Sequence, residues 1–144
     1  MLVKQILNTK GSNSIVTAMP ETKVTNIAII LTSQKIGLVV ISSDKETVEG
    51  IVSERDIVRA IAERGISSLS LTAADIMTRK IITCSRDATA DQILSVMSKR
   101  RFRHIPVLEN NKLVGLITQG DVVKAKLSQL SMENVALENM IMGY

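Results

Sequence analysis

The sequence predicts an α/β (α+β) fold built from two similar copies of one small unit. The segment GIVSERDIV, residues 50–58, returns as GLITQGDVV, residues 115–123, with its glycine, aliphatic pairs, hydroxyl residue and aspartate kept. The shorter segment IVT, residues 15–17, returns as IIT, residues 81–83. A chain of 144 residues can hold two small units that share a core. We therefore predict two repeats, residues 1–66 and 67–144.

Each repeat is predicted to run strand, helix, strand, strand, helix. After the short strand, apolar residues spaced three and four apart indicate a helix over residues 89–101, matched by 23–35 in the first repeat. Two β-rich runs joined by the polar turns SSDKET and ENN then predict hairpins. A second helix begins after each hydroxyl residue, over 54–64 and from 119 onward. We expect two three-stranded sheets packed sheet to sheet about a pseudo-two-fold axis, joined by the Ser-rich linker 65–75.

The composition excludes several classes of protein. With 45% hydrophobic and 22% charged residues, the chain is typical of a soluble globular protein, and no apolar run approaches the roughly 20 residues of a membrane span. No signal peptide is recognisable, so we predict a cytoplasmic location. The single cysteine, Cys84, has apolar neighbours and is predicted to be a small core residue. The net charge of +4 suggests nucleic acid, but an aromatic content of 1% argues against it.

The repeated device places a hydroxyl residue three positions before an aspartate, as Ser53 with Asp56 and Thr118 with Asp121. One interpretation is a helix N-cap with an acidic residue in the first turn. The alternative is a ligand site, because a strand-to-helix junction leaves backbone N–H groups free for a phosphate. A carboxylate also suits the two hydroxyls of a ribose. Recurrence in both repeats favours the second interpretation. A hydroxyl residue for the phosphate and a carboxylate for the ribose together indicate a nucleotide ligand.

Several segments together resemble a known family, the paired CBS domains or Bateman module, in its bacterial stand-alone form. They are GIVSERD, GLITQGD, FRHIPVLENNKLVG and the short strands ending at Thr17 and Thr83. The resemblance implies a regulatory protein whose clefts between the repeats bind an adenosine compound. AMP or NAD(H) is the expected ligand, with ADP, ATP and S-adenosylmethionine as further candidates.

The resemblance also implies roles for individual residues. The aspartates are expected on the ribose, Arg103 and His104 near the phosphate, and backbone near Thr17 and Thr83 at the adenine. His104 has a competing interpretation as a structural hydrogen-bonding residue. The first repeat has Gly37 where the second has Arg103, so equal occupancy of the two clefts is not expected. The predicted ligand-binding residues are Thr17, Ser53, Arg55, Asp56, Thr83, Arg103, His104, Pro106, Thr118 and Asp121.

Three functions compete at this point. A sensing module without chemistry of its own is favoured, because the sequence shows no nucleophile–base pair, no cluster of metal ligands and no Gly-rich phosphate loop. An enzyme is the second and a purely structural dimerisation module the third. We predict no catalytic residue, no metal, no membrane partner and an unidentified regulated protein. A homodimer is expected from the apolar residues of the last helix, namely Met132, Val135, Ala136, Met140 and Ile141.

Overall fold

The computed structural model describes residues 1–10 and 15–143. The described residues form two compact units. The first-copy unit comprises Ser14–Ile82 and Glu109–Val114, and the second-copy unit comprises Met1–Asn13, Thr83–Leu108 and Gly115–Tyr144, each as far as described. The amino-terminal segment therefore belongs with the second copy of the repeat. The sequence boundaries at residues 66 and 67 stay a prediction.

The first-copy unit has the predicted order of elements. Its sheet runs β1 (Thr17–Ala18), β2 (Leu38–Ile41), β3 (Gly50–Ser53), with β1 parallel to β2 and β2 antiparallel to β3. All four residues of the middle strand are buried, and Val39 and Ile41 share one core cluster with apolar residues of the helix before it. The elements are β1 (Thr17–Ala18), α2 (Val24–Gln34), β2 (Leu38–Ile41), β3 (Gly50–Ser53) and α3 (Glu54–Arg64).

The linker between the copies is ordered rather than an open loop. It forms a 3-10 helix, Gly65–Ser70, and the short helix α4, Ala73–Ile76. Backbone hydrogen bonds fix it to the first-copy unit, since the Val24 N–H donates to Leu71 O at 2.8 Å and the Ala73 N–H donates to Thr22 O at 2.7 Å.

The second-copy unit begins with a helix that the sequence analysis did not predict. This helix, α1 (Val3–Thr9), buries Val3, Ile6 and Leu7. A bridge joins Leu2, just before this helix, to Thr89, the N-cap of α5 (Ala90–Arg100). The remaining elements are α5 (Ala90–Arg100), β4 (His104–Glu109), β5 (Lys112–Thr118) and the long helix α6 (Gln119–Met142).

The β4–β5 hairpin confirms the predicted ENN turn. Its two loop residues, Asn110 and Asn111, have φ angles of 52° and 63°. Positive φ at both loop positions is the feature of a type I′ turn, and asparagine tolerates it better than most residues.

The first strand of the second copy is reduced to a single bridge. The strand expected to end at Thr83 consists of one parallel pair, Cys84 with Val107. The Cys84 N–H donates to Pro106 O and the Leu108 N–H donates to Cys84 O. The chain then turns at once, because the Ala88 N–H donates to Ser85 O. The second copy therefore has a two-stranded sheet and a bridge, while the α/β class itself is confirmed.

Within the described residues, no helix combines the length and the apolar character needed to cross a membrane.

Candidate functional site

The first copy of the repeated device places Asp56 at the start of α3, with Ser53 as the N-cap. Oδ2 of Asp56 accepts hydrogen bonds from the Ser53 N–H at 2.9 Å and from Ser53 Oγ at 3.1 Å. Oδ1 accepts from Thr78 Oγ1 at 3.1 Å and from Arg59 at 3.4 Å. The side chain is only 6% exposed. Because a carboxylate offers about four lone-pair sites, these donors occupy the acceptor capacity of Asp56.

The second copy places Asp121 at the start of α6, with Thr118 as the N-cap. Oδ2 of Asp121 accepts from the Thr118 N–H at 2.9 Å and pairs with Lys10 Nζ at 2.8 Å. Its side chain is 21% exposed, more than that of Asp56. Burial raises the pKa of Asp121, but the hydrogen bonds from Lys10 and Thr118 outweigh burial and hold the pKa below its usual range.

Both aspartates thus form a capping box, which the sequence analysis weighed as the alternative to a ligand role. The third partner of the carboxylate differs between the copies. Thr78, in the segment after α4, donates a neutral hydroxyl to Asp56. Lys10, directly after α1, contributes a charged ammonium to Asp121. The second-copy aspartate is therefore the more exposed of the two, and its ion pair with Lys10, at 2.8 Å, is shorter than the 3.4 Å between Asp56 and Arg59.

The glycine that opens each device allows these segments to approach. A Cβ on Gly50 would lie 2.6 Å from Met77 Sδ and 3.0 Å from Thr78 O. A Cβ on Gly115 would lie 2.8 Å from both terminal methyl carbons of Leu7. A side chain at either position would push away the segment that carries the partner of the aspartate.

A cleft of about 510 Å³ lies beside Asp121 in the second-copy unit. It is bordered by α1 and by the first turns of α6. Its walls combine two lysines, a carboxylate, two hydroxyls and three apolar side chains. The lining residues are Met1, Ile6, Thr9, Lys10, Asp121, Lys124, Ala125 and Ser128.

The predicted site residues fall into both units. The first-copy unit contains Ser53 and Asp56, which are hydrogen-bonded, with Arg55 exposed beside them and Thr17 on β1. In the second-copy unit Thr118 and Asp121 are hydrogen-bonded.

Arg103 lies next to the second-copy pair, because its carbonyl accepts from the Gln119 N–H at 2.8 Å, although its side chain is exposed. His104, half-buried, and Pro106, buried, follow on β4, while Thr83 is exposed. The ligand roles of these residues stay predictions.

Four functional candidates were missed by the sequence analysis. Thr78 and Lys10 lie outside the repeated device, so only the fold brings them to the aspartates. Arg59 and Lys124 did carry a signal, because each is a basic residue three positions after the repeated aspartate. On a helix that spacing puts the basic residue on the same face as the aspartate.

Cys84 is half-buried, and burial raises the pKa of its thiol to about 11. The thiol is therefore protonated at neutral pH and weakly nucleophilic. Among the described residues, no group of three or more His, Cys, Asp and Glu side chains is placed to hold a metal ion.

The CBS-domain sequence profile matches the chain twice, at residues 3–63 and 73–128. The chain belongs to the CBS-domain family. The two matched stretches confirm the tandem CBS pair that the sequence predicted, and each contains one copy of the repeated device.

Solved structures agree with this assignment. The CBS-domain protein ATU1752 from Agrobacterium tumefaciens is 41% identical, with a TM-score of 0.82 over 88% of this chain and 99% of that chain. The CBS domain pair of protein MJ0100, in complex with 5′-methylthioadenosine and S-adenosylmethionine, is 28% identical, with a TM-score of 0.77 over 90% and 98% of the two chains.

Curated relatives include the mitochondrial CBS domain-containing protein CBSX3 of Arabidopsis thaliana, 32% identical over 117 residues. That alignment covers 78% of this chain and 57% of the relative. Protein YlbB of Bacillus subtilis is 42% identical over 84 residues, which cover 58% and 55% of the two chains. The chain thus spans little more than half the length of these curated relatives.

Proposed function

We propose that this CBS pair is a regulatory module that binds an adenosine compound through the aspartates of its repeated device. The observation that carries the proposal is Asp121, a partly exposed carboxylate at a strand-to-helix junction that lines a cleft of about 510 Å³. Pockets of roughly 300–1,000 Å³ with a few polar groups are typical of small-ligand sites. The ligands named for the CBS pair of MJ0100 support an adenosine compound.

The two aspartates are proposed to contribute unequally to ligand binding. Asp56 already accepts four hydrogen bonds inside its own unit, whereas the Thr118 N–H and the Lys10 ammonium both bind Oδ2 of Asp121. A ribose diol therefore finds acceptor capacity more readily at Asp121. AMP and NAD(H) are the proposed ligands, with ADP, ATP and S-adenosylmethionine as further candidates.

The proposed output is regulation without chemistry, exerted on another protein or on a second copy in a homodimer. The cytoplasmic location predicted from the sequence, the absence of enzyme activity and the identity of the regulated protein stay predictions. The alternative is a structural dimerisation module, which the capping boxes favour because they explain both aspartates without a ligand.

Thermal unfolding of the purified chain with AMP, NADH, S-adenosylmethionine or adenosine separates these two functions. A ligand at a hundred times its dissociation constant stabilises the folded chain by about 2.7 kcal/mol. An unchanged unfolding temperature with every adenosine compound would leave only the structural module.

A matched variant pair then tests the role of Asp121. Asp75 forms the same capping box with Thr72, accepting from its N–H at 2.9 Å and its Oγ1 at 3.0 Å, but lies outside the repeated device. Asp121→Ala should weaken adenosine binding about ten- to a hundredfold, because charge-assisted hydrogen bonds are lost. Asp75→Ala should lose the cap and keep the affinity. Equal affinities in calorimetry for both variants would exclude Asp121 as a ligand residue.

A further inference from the structure

Two lysines line the cleft beside Asp121. Lys10 is held in place, with Nζ 2.8 Å from Asp121 Oδ2 and 2.9 Å from Leu116 O. An ammonium has three N–H donors, and the described part of the chain supplies acceptors for two of them, so the third is available for a ligand. Because two hydrogen bonds already fix the side chain, binding a ligand through the third costs little conformational entropy.

Lys124 follows Asp121 by three residues on α6 and is exposed on the cleft. Among the ion pairs of the described residues, none involves Lys124. Lys126, two positions further on, differs in both respects, because it pairs with Asp91 at 2.8 Å and does not line the cleft. The described side chains that line the cleft thus include two ammonium groups and one carboxylate.

The surroundings of the aspartate differ in the first copy. There a neutral hydroxyl, that of Thr78, donates to Asp56, and the basic residue three positions after the aspartate, Arg59, bonds to Asp56 itself. In the second copy Lys10 neutralises Asp121, which leaves the charge of Lys124 for a ligand.

We propose that Lys10 and Lys124 bind the phosphate of an adenosine nucleotide whose ribose is held by Asp121. This inference rests on the proposed function and names the ligand class of the second-copy site as phosphorylated. A cleft of about 510 Å³ accommodates a nucleoside monophosphate. The two ammonium groups favour AMP over adenosine and 5′-methylthioadenosine, which carry no phosphate, and over S-adenosylmethionine, whose sulfonium is positive.

Titration calorimetry with AMP and with adenosine, at one fixed ionic strength, tests the inference. Lys124→Ala should weaken AMP binding about tenfold and leave adenosine binding unchanged, since only AMP offers an anion. Lys126→Ala is the control, because it removes the same charge from the same helix away from the cleft. Lys10→Met should also weaken AMP selectively, and circular dichroism verifies that this variant folds.

The possible results separate this inference from the proposed function. AMP affinity that Lys124→Ala leaves intact would overturn the phosphate site and keep the adenosine site. Equal losses in Lys124→Ala and Lys126→Ala would also overturn it, because they indicate general charge attraction. A parent protein that binds neither AMP nor adenosine would instead refute the proposed function, and the inference with it.

Discussion

At the scale of single residues, the same motif is used in two chemical settings. Asp56 is buried and bonded to Ser53, Thr78 and Arg59, so it has the surroundings of a structural carboxylate. Asp121 has one ammonium partner and partial exposure. The residue that joins the capping box differs, because Thr78 donates a hydroxyl to Asp56 whereas Lys10 pairs with Asp121 through its ammonium.

The Lys10–Asp121 pair should make part of the stability of the protein dependent on pH. The folded pKa of Asp121 lies below the unfolded value of about 3.9, so the unfolded chain binds more protons as the pH falls. The contribution of the pair, about 1 kcal/mol for a charge-assisted bond at a partly exposed site, is present above pH ~4 and lost as the pH falls through the folded pKa.

Urea unfolding between pH 3 and pH 7 measures this effect. Lys10→Met should lower the free energy of unfolding near pH 7. At the acid end the variant and the parent should have the same free energy of unfolding. Lys4→Met is the control, because Lys4 pairs with Asp87 at 3.5 Å on the exposed surface, where ion pairs contribute little. An offset between parent and Lys10→Met that is the same at every pH would contradict the prediction.

At the scale of secondary structure, Gly115 controls how closely α1 approaches β5. Gly115→Ala places a methyl group 2.8 Å from Leu7, a buried side chain with little room to move. Overpacking of this kind costs about 1–3 kcal/mol, so we expect that loss in the free energy of unfolding. The double variant Gly115→Ala with Leu7→Ala should relieve the clash, although it loses the packing of the leucine.

Gly120→Ala is the matched control for this prediction. Gly120 lies in the first turn of α6, and the nearest atom to an added Cβ is Thr118 Oγ1 at 3.7 Å. Alanine there should stabilise the helix by up to about 1 kcal/mol, because glycine is the poorer helix former. A Gly115→Ala protein that unfolds at the same urea concentration as the parent would show that α1 adjusts freely.

The elements that the sequence predicted share one property, which is a local signal. The helices over 24–34, 54–64 and 90–100 follow from apolar spacing and caps, and the Asn110–Asn111 turn follows from residue type. α1 and α4 are too short to show a helical period, and the bridge at Cys84 depends on its partner strand. Such elements form through tertiary contacts, which a local pattern does not contain.

In the candidate site, too, the residues with a local sequence signal were predictable and those brought in by tertiary contacts were not. Ser53, Asp56, Thr118 and Asp121 were predictable because the device repeats within the sequence. Lys10 is 111 positions away from Asp121, and no pattern links the two residues until the chain folds. The hydrogen bonds between the hydroxyl residue and the aspartate were therefore predictable from the sequence, whereas the charged partners of each copy were not.

At the scale of the whole molecule, α6 carries an apolar seam that its own chain does not cover. The seam residues follow a spacing of four and three, interrupted by Asn134, and are 41–78% exposed. They are Val123, Leu127, Leu130, Leu137 and Ile141. This spacing is typical of helices that pair along one stripe, and the stripe is complementary to itself in a second copy. Of the apolar residues expected from the sequence, only Ile141 lies on the seam, while Met132 faces away from it.

The seam and the cleft occupy opposite faces of α6. On a helix with 3.6 residues per turn, Asp121, Ala125 and Ser128 lie roughly half a turn away from Leu130 and Leu137. A homodimer formed along the seam would therefore leave Lys124 and the cleft open to ligand. Dimerisation and nucleotide binding are compatible on one helix.

We predict that the parent chain is a homodimer at micromolar concentration and that Leu130→Lys with Leu137→Lys makes it a monomer. Two charged residues on each seam would have to be buried unpaired in the dimer, which is costly. Light scattering should report about twice the 15.7 kDa chain mass for the parent and the single mass for the variant. Met132→Lys, at an exposed apolar position off the seam, should leave the dimer intact. A parent protein of 15.7 kDa would refute the dimer. A double variant that is still a dimer would show that the interface lies on another surface.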